Sequence, residues 1–260
     1  MIAKKQVIKV DLTAGKIRSI SEMVAVEESI EVYVNDEHYT TFLASPSMKK
    51  ELVVGHMLSE GLIRSIEDLR EVYVSEGAVK VSLRRGFKPP LKATKGRFFT
   101  SAQGSYDDFS KAFEGLKKPL VSSDLKVKAE DVLRMIRRLE RKSEVYKATK
   151  SVHSAALFLE SAELVSFSED VSRYNAVDKV IGDAALKQQD FSKLTLVSSG
   201  RQSACMVLKA ARVGIPIIVS IASPVFSGVA AAKKAGVTLV SVPNEECVKV
   251  YTFQDRIMEK

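Results

Sequence analysis

The first third of the chain alternates apolar and polar positions with a period of two. Lys5–Leu12, Gly15–Ile20, Ile30–Asn35 and His38–Ala44 read as half-buried strands, with a turn at Asn35-Asp36. Ser45-Pro46-Ser47 stops the last of these and is expected to cap a helix from Met48 to Ser59. The stripe of that helix runs through Leu52, Val53, His56, Met57 and Leu58, and Gly61 ends it. Leu69–Ser75 and Ala78–Leu83, on either side of Glu76-Gly77, predict a further hairpin. From Arg84 to Asp108 the alternation gives way to prolines, glycines, lysines and small polar residues, which predicts a long exposed loop.

Beyond a linker at Pro119–Lys126 the period changes. Ala129–Ser143 carries a helical stripe of Val132, Leu133, Ile136 and Leu139. Its other face holds Arg134, Arg137, Arg138, Arg141 and Lys142, either a solvated surface or a polyanion contact. Strand and helix patterns then alternate: strands Ala155–Leu159 and Leu164–Ser168, helix Ala176–Lys187, strand Leu194–Val197, helix Ser203–Val213. Strand Ile215–Ser220, helix Pro224–Ala235, and strands Val237–Val242 and Lys249–Phe253 complete the chain. Apolar strands that repeat with helices predict a largely parallel sheet covered on both faces.

The expected fold is therefore α+β, in two domains. Residues 1–118 form a β-rich N-terminal domain with one helix and the loop 84–108, and residues 119–260 an α/β three-layer domain. Ligands of such sheets sit beyond the strand C-termini, where Ser198–Arg201, Ser220–Pro224 and Pro243–Glu246 fall. Ser198-Ser199-Gly200-Arg201, between an apolar run and a helical one, offers hydroxyls, backbone N–H groups and a guanidinium at a helix start. That chemistry suits a phosphate or other small anion.

Composition narrows the classes. The formal net charge of +8 favours anionic partners, yet the basic residues are dispersed and no DNA- or RNA-binding module occurs, so nucleic acid is not expected. No apolar run approaches the roughly 20 residues needed to span a bilayer. The opening MIAKKQVIKVDL lacks a signal-peptide core, which makes the cytoplasm the expected location and a membrane partner unexpected. Cys205 and Cys247, with His38, His56 and His153, give neither a disulfide framework nor a metal spacing. P-loop and GxGxxG patterns are absent. A Ser199, His153 and Asp178 triad can be written down, but the G-x-S-x-G elbow is missing.

Several blocks resemble the formate dehydrogenase accessory protein (FdhD) family. EDVSRYNAVDKVIG at Glu169–Gly182 is similar to its EDVGRHNAVDKVIG block, and SSGRQS at Ser198–Ser203 to its SSGR block. VNDEHYTTFLASP, ELVVGHMLSEGLI, VHSAAL, KAARVGIPIIVS and KVYTFQDRI follow in family order, from about Ser29 to Ile257. The resemblance implies a sulfur carrier. Such a protein moves sulfur from a cysteine desulfurase to the bis-molybdopterin guanine dinucleotide of formate dehydrogenase. It also implies a homodimer, with guanosine diphosphate as an analogue of the cargo and no metal of its own. The dimer interface is expected on the strands or helices of the second domain. The three-layer reading and the resemblance both point to a cytidine-deaminase-like fold for residues 119–260. Deamination itself is excluded, because His153-Ser154-Ala155 lacks the glutamate and no CxxC occurs.

On this resemblance Ser198, Ser199, Gly200 and Arg201 would hold the diphosphate, Arg201 by a bidentate fork. Arg173 lies in the same block, and His153 stands at the family's histidine. Asn175 and Asp178 would read a base or fix the loop, or else cap the helix that begins at Ala176. Val242, Pro243, Asn244, Glu245, Glu246 and Cys247 occupy the family's C-terminal cofactor segment.

The departures bear on chemistry. The family's cysteine pair aligns with Gln103 and Tyr106, neither of which can carry sulfane sulfur, leaving Cys205 as the fallback thiol. Ser172 replaces a glycine, Tyr174 a histidine, Lys150-Ser151 paired glycines and Val225 a threonine. Asn244 and Glu245 stand for Arg and Gly. The alternative to a sulfurtransferase is thus a diverged protein that binds or delivers the molybdenum cofactor, or a guanine nucleotide, without sulfur chemistry. A module for another nucleotide is the third reading.

Overall fold

The computed structural model describes residues 1–86, 98–99 and 119–259. Strands β1 (Ile2–Asp11) and β2 (Lys16–Ala25) pair as an antiparallel ribbon, longer than the alternation alone predicts. β3 (Glu28–Val34) and β4 (Glu37–Ala44) form a hairpin whose turn residues Asn35 and Asp36 both have positive φ. α1 (Lys49–Ser59) follows, then β5 (Leu69–Ser75) and β6 (Ala78–Leu83). With β7 (Phe98–Phe99) these strands make a five-stranded sheet in the order β5-β6-β3-β4-β7. The expected cap at Ser45–Ser47 is replaced by a different device. Met48, in the left-handed region, precedes the helix, while Ser45 bonds to the second half of the chain.

A short β8 (Val127–Lys128) leads into α2 (Ala129–Lys142) and then α3 (Glu144–Thr149), a helix the sequence pattern did not predict. Glu169 fixes α3, its carboxylate accepting from the N–H groups of Val145 and Tyr146 at 3.0 and 2.8 Å. The remaining elements are β9 (His153–Phe158), β10 (Leu164–Asp170), α4 (Arg173–Leu186) and β11 (Thr195–Ser198). α5 (Ala204–Arg212), β12 (Ile217–Ser220), α6 (Phe226–Ala235), β13 (Thr238–Asn244), β14 (Cys247–Val250) and β15 (Ile257–Met258) follow. β15 pairs with β8.

The main sheet has the order β10-β9-β11-β12-β13-β14 and is mixed rather than largely parallel. β11, β12 and β13 pair in parallel, while β9 and β14 run against their neighbours. The cause is connection length. β9–β10 and β13–β14 are joined by tight turns, and only a crossover helix can return the chain for parallel pairing. β10 nonetheless points the same way as β11, β12 and β13, so four strands end at one edge.

Alternation along these strands divides the core. Leu157, Leu196, Ile218 and Leu239 face α4, α5 and α6, whereas Phe158, Val197, Val219 and Val240 face α2. The first cluster does not stop at the second half: it continues through α1 into Ile30, Val32, Phe42, Val79 and Val81 of the five-stranded sheet. Helices α1 and α4 meet at Gly55 and Gly182. Among the described residues no helix is long and apolar enough to cross a membrane.

Candidate anion-binding site

At the shared edge, register aligns Ser198 of β11, Ser220 of β12 and Ser241 of β13. Past Ser198 the chain stays pinned to β9. The Ser199 N–H donates to the Ser154 carbonyl at 2.9 Å, and its Oγ accepts from the Ser154 N–H at 3.0 Å. That hydroxyl also lies 3.2 Å from His153 Nδ1. Gly200 is fixed at both ends: its N–H donates to Ser198 Oγ at 3.1 Å, and its carbonyl accepts from Ser220 Oγ at 2.8 Å. Gln202, fully buried, donates from Nε2 to the Val240 carbonyl at 2.6 Å, tying the loop to β13. The polar residues of this turn form a rigid frame, which the sequence signal of a capped helix start did not reveal.

Two guanidinium groups converge on the frame. Arg173 opens α4 and lies so close to Gly200 that a Cβ there would fall 2.8 Å from Arg173 Cβ and 2.9 Å from Cδ. Its guanidinium stacks on Tyr174, 4.4 Å from the ring centroid, and donates to the Tyr174 hydroxyl at 3.0 Å. Tyr174 in turn meets Ser203 Oγ at 3.2 Å. Arg173 Nε is buried with no hydrogen-bond partner among the described residues. Arg201 is exposed. His153 lies near both: burial first, then the charges of Arg173 and Arg201, push its pKa below the ordinary histidine value. Helices α4, α5 and α6 all begin at this edge, and Ser172, Ser203 and Val225, at their N-cap positions, supply no side-chain cap. First-turn N–H groups without a side-chain cap, two arginines and a hydroxyl gather at this edge, a donor set whose chemistry suits a multiply charged anion.

The other predicted residues have different surroundings. Asn175 and Asp178 lie inside α4, which starts at Arg173, so neither caps it. Asn175 Nδ2 donates to the Leu43 carbonyl at 2.9 Å and to Asp170 at 3.1 Å. Asp170 also receives the Ser45 and Ser172 N–H groups and Lys179 Nζ, the last at 2.6 Å, with Lys179 fully buried. Asp178 accepts from Lys209 Nζ at 2.9 and 3.0 Å and from Ser59 Oγ at 2.7 Å, and lies 3.4 Å from His56 Nδ1. Asp178 therefore cannot complete a triad with Ser199 and His153, although those two do meet. Much of the EDVSRYNAVDK block is a buried polar lattice joining the two halves of the chain. Lys179, Lys209, His56 and Ser59 belong to that lattice; His56 stood on the apolar stripe of its helix and Lys179 in the block itself, while nothing in their local pattern marked Lys209 or Ser59.

Val242 is buried under α2, while Pro243 and Asn244 end β13, Glu245 and Glu246 form the β13–β14 turn, all four exposed, and Cys247 opens β14. The segment predicted as a cofactor loop is thus a tight hairpin, and the strand predicted at Lys249–Phe253 begins earlier, at Cys247. Glu245 is drawn to Arg137 of α2 at 3.3 Å, which offsets an acidic charge near the edge. Cys205 is partly buried in the first turn of α5. Gln103 and Tyr106 lie outside the described residues. No cluster of His, Cys, Asp and Glu able to hold a metal occurs among the described residues.

Comparison with known proteins agrees with this architecture. The family model described as "FdhD/NarQ family" matches residues 25–258. The chain belongs to the FdhD/NarQ family. A sulfur carrier protein FdhD from Sulfolobus acidocaldarius is 34% identical over 254 residues, covering 96% of this chain and 97% of the relative. Another from Wolinella succinogenes is 32% identical, covering 91% and 82% respectively. A crystal structure described as a formate dehydrogenase accessory protein, from Desulfotalea psychrophila, superposes with a TM-score of 0.80. It is 26% identical and covers 99% of each chain. The mixed α/β arrangement is that of an FdhD/NarQ protein, and the site lies in the region matched by the family model.

Proposed function

We propose that this FdhD/NarQ protein serves formate dehydrogenase maturation by binding the diphosphate of a nucleotide-bearing molybdenum cofactor, of the bis-molybdopterin guanine dinucleotide type. The observation that carries this reading is Arg173. Its Nε–H is buried beside Gly200 without a partner among the described residues, and it shares the neighbourhood of His153 with Arg201. A buried donor of this kind costs free energy unless an acceptor reaches it. Diphosphate oxygens are such acceptors, and the donor set of arginines, histidine, hydroxyls and helix N-termini fits them. On this reading Arg173 and Arg201 hold charge, Ser199 and the frame around Gly200 orient it, and the first turns of α5 and α6 complete the cradle. The second half would be a cytidine-deaminase-like scaffold used for binding rather than deamination.

The test is calorimetric titration with guanosine diphosphate. Arg201→Ala should weaken binding by roughly 1.5–3 kcal/mol, the range for a hydrogen bond to a charged group. Thermal stability should stay nearly unchanged, because Arg201 is an exposed loop residue. Unchanged affinity in Arg201→Ala removes the assignment.

A second reading, a working sulfur carrier fed by a cysteine desulfurase, is favoured by one feature: Cys205 lies two residues from Ser203, in the turn that bounds the site. Labelling with sulfane sulfur separates the two readings.

A further inference from the structure

Arg173, Arg201 and the Ser199–Gly200 frame account for an anion but leave the neighbouring rim unexplained. Phe226 is 91% exposed, although it opens a ten-residue helix whose Gly228, Ala231, Ala232 and Ala235 are buried. Beside it Ile221 and Val225 are also exposed, at 37% and 39%, so these three side chains present apolar surface to water along the β12–α6 connection. This strip is anchored to the anion loop. The Val225 N–H donates to the Gln202 carbonyl at 3.2 Å. A Cβ at Gly228 would fall 2.2 Å from that carbonyl oxygen, so the first turn of α6 is pressed against the backbone next to Arg201. An exposed aromatic side chain thus lies one residue from the contact that ties α6 to the anion loop.

We infer that Phe226, flanked by Ile221 and Val225, is the platform on which the planar ring of a nucleotide stacks while its diphosphate occupies the Arg173–Arg201 site. An inorganic anion makes no use of an apolar rim. A nucleoside diphosphate does, because every base has a π-face and stacking on an aromatic side chain is tolerant of base identity. The strip thus confers preference for a nucleotide over a bare diphosphate, without discriminating between bases. This inference rests on the anion site proposed above and adds to it a ring-recognition element that the anion chemistry does not require.

The experiment compares two ligands, guanosine diphosphate and inorganic pyrophosphate, on the full chain and on Phe226→Ala, Phe226→Trp and Arg201→Ala. Phe226→Ala should lose roughly 5- to 150-fold in guanosine diphosphate affinity, the range for one base–aromatic stack, and keep its pyrophosphate affinity. Phe226→Trp should retain nucleotide binding, a rescue that a merely structural role would not show. Because the side chain is exposed, the melting temperature of Phe226→Ala should match the parent. Equal guanosine diphosphate affinity in parent and Phe226→Ala overturns the platform, as does an equal loss for both ligands. Pyrophosphate binding that depends on Arg201, with no extra affinity for the nucleotide, overturns the platform while leaving the anion site standing. If neither ligand binds the parent, the anion site falls and the platform with it.

Discussion

Gly55 and Gly182 bring α1 and α4 into backbone contact. A Cβ on Gly55 would fall 1.7 Å from the Asp178 carbonyl oxygen, and one on Gly182 would fall 1.9 Å from that of Glu51. The crossing holds the five-stranded sheet to the second half and sets the position of α4, whose first residue is Arg173. Backbone atoms on both sides cannot move aside as a flexible side chain can. Gly55→Ala or Gly182→Ala should therefore destabilise the protein by about 3 kcal/mol or more, the upper range of overpacking. The sign opposes the roughly 1 kcal/mol gain expected for glycine to alanine in an exposed helix. Urea denaturation followed by circular dichroism checks it, and a stabilised variant would refute the crossing.

Gly200→Ala differs, because the three atoms nearest the new methyl belong to the Arg173 side chain, Cβ at 2.8 Å and Cδ at 2.9 Å foremost, rather than to backbone. Stability should fall by about 1–3 kcal/mol, and anion affinity should drop as the guanidinium is displaced. Paired melting and titration experiments should show binding more affected than folding. A variant that binds as the parent does would mean that Arg173 does not face the ligand.

The pair Lys209–Glu60 makes a prediction about acid. Glu60 Oε1 lies 2.8 Å from Lys209 Nζ. Burial alone would raise the Glu60 carboxyl, but the charges of Lys209, His56 and Arg212 outweigh it and hold the group at about 2. The folded pKa is lower than the unfolded one, so the contribution is complete above about pH 4.5 and is lost as pH falls toward 2. For this partly exposed carboxylate it should amount to roughly 2 kcal/mol. Denaturation midpoints between pH 5 and pH 3 should fall more steeply in the parent than in Glu60→Gln. Identical slopes would remove the pair from the acid response.

Sulfur chemistry gives the remaining test. On the resemblance, Gln103 and Tyr106 would stand where the family has its cysteine pair, and the thiols in the sequence are Cys205 and Cys247. Both thiols are partly buried. A persulfide carrier needs an accessible, ionised thiol. A cysteine desulfurase supplied with ³⁵S-cysteine should therefore leave the protein unlabelled. Cys205→Ser/Cys247→Ser should bind guanosine diphosphate as the parent does. Stoichiometric, reductant-labile label that disappears with Cys205→Ser would restore the sulfur carrier reading and place it beside Ser203.

By itself the sequence determined the periodic elements and the place of the ligand edge. Apolar alternation marked β3, β4, β5 and β6, the helical stripe marked α1 and α2, and the strand–turn–helix pattern put Ser198–Arg201 at a strand C-terminus. These are local signals, set by side-chain spacing within one element. The tertiary structure decided what no spacing encodes. Asp178, Asn175 and Lys179 share a block with Arg173, yet three of the four point into the lattice and only Arg173 reaches the edge. A helix turns its residues toward different neighbours, and those neighbours, Leu43, Ser45, Ser59 and Lys209, come from distant parts of the chain. In the same way β9 enters between β10 and β11 because a tight turn folds it back, which puts His153 beside Ser199 and makes one site from residues far apart in sequence.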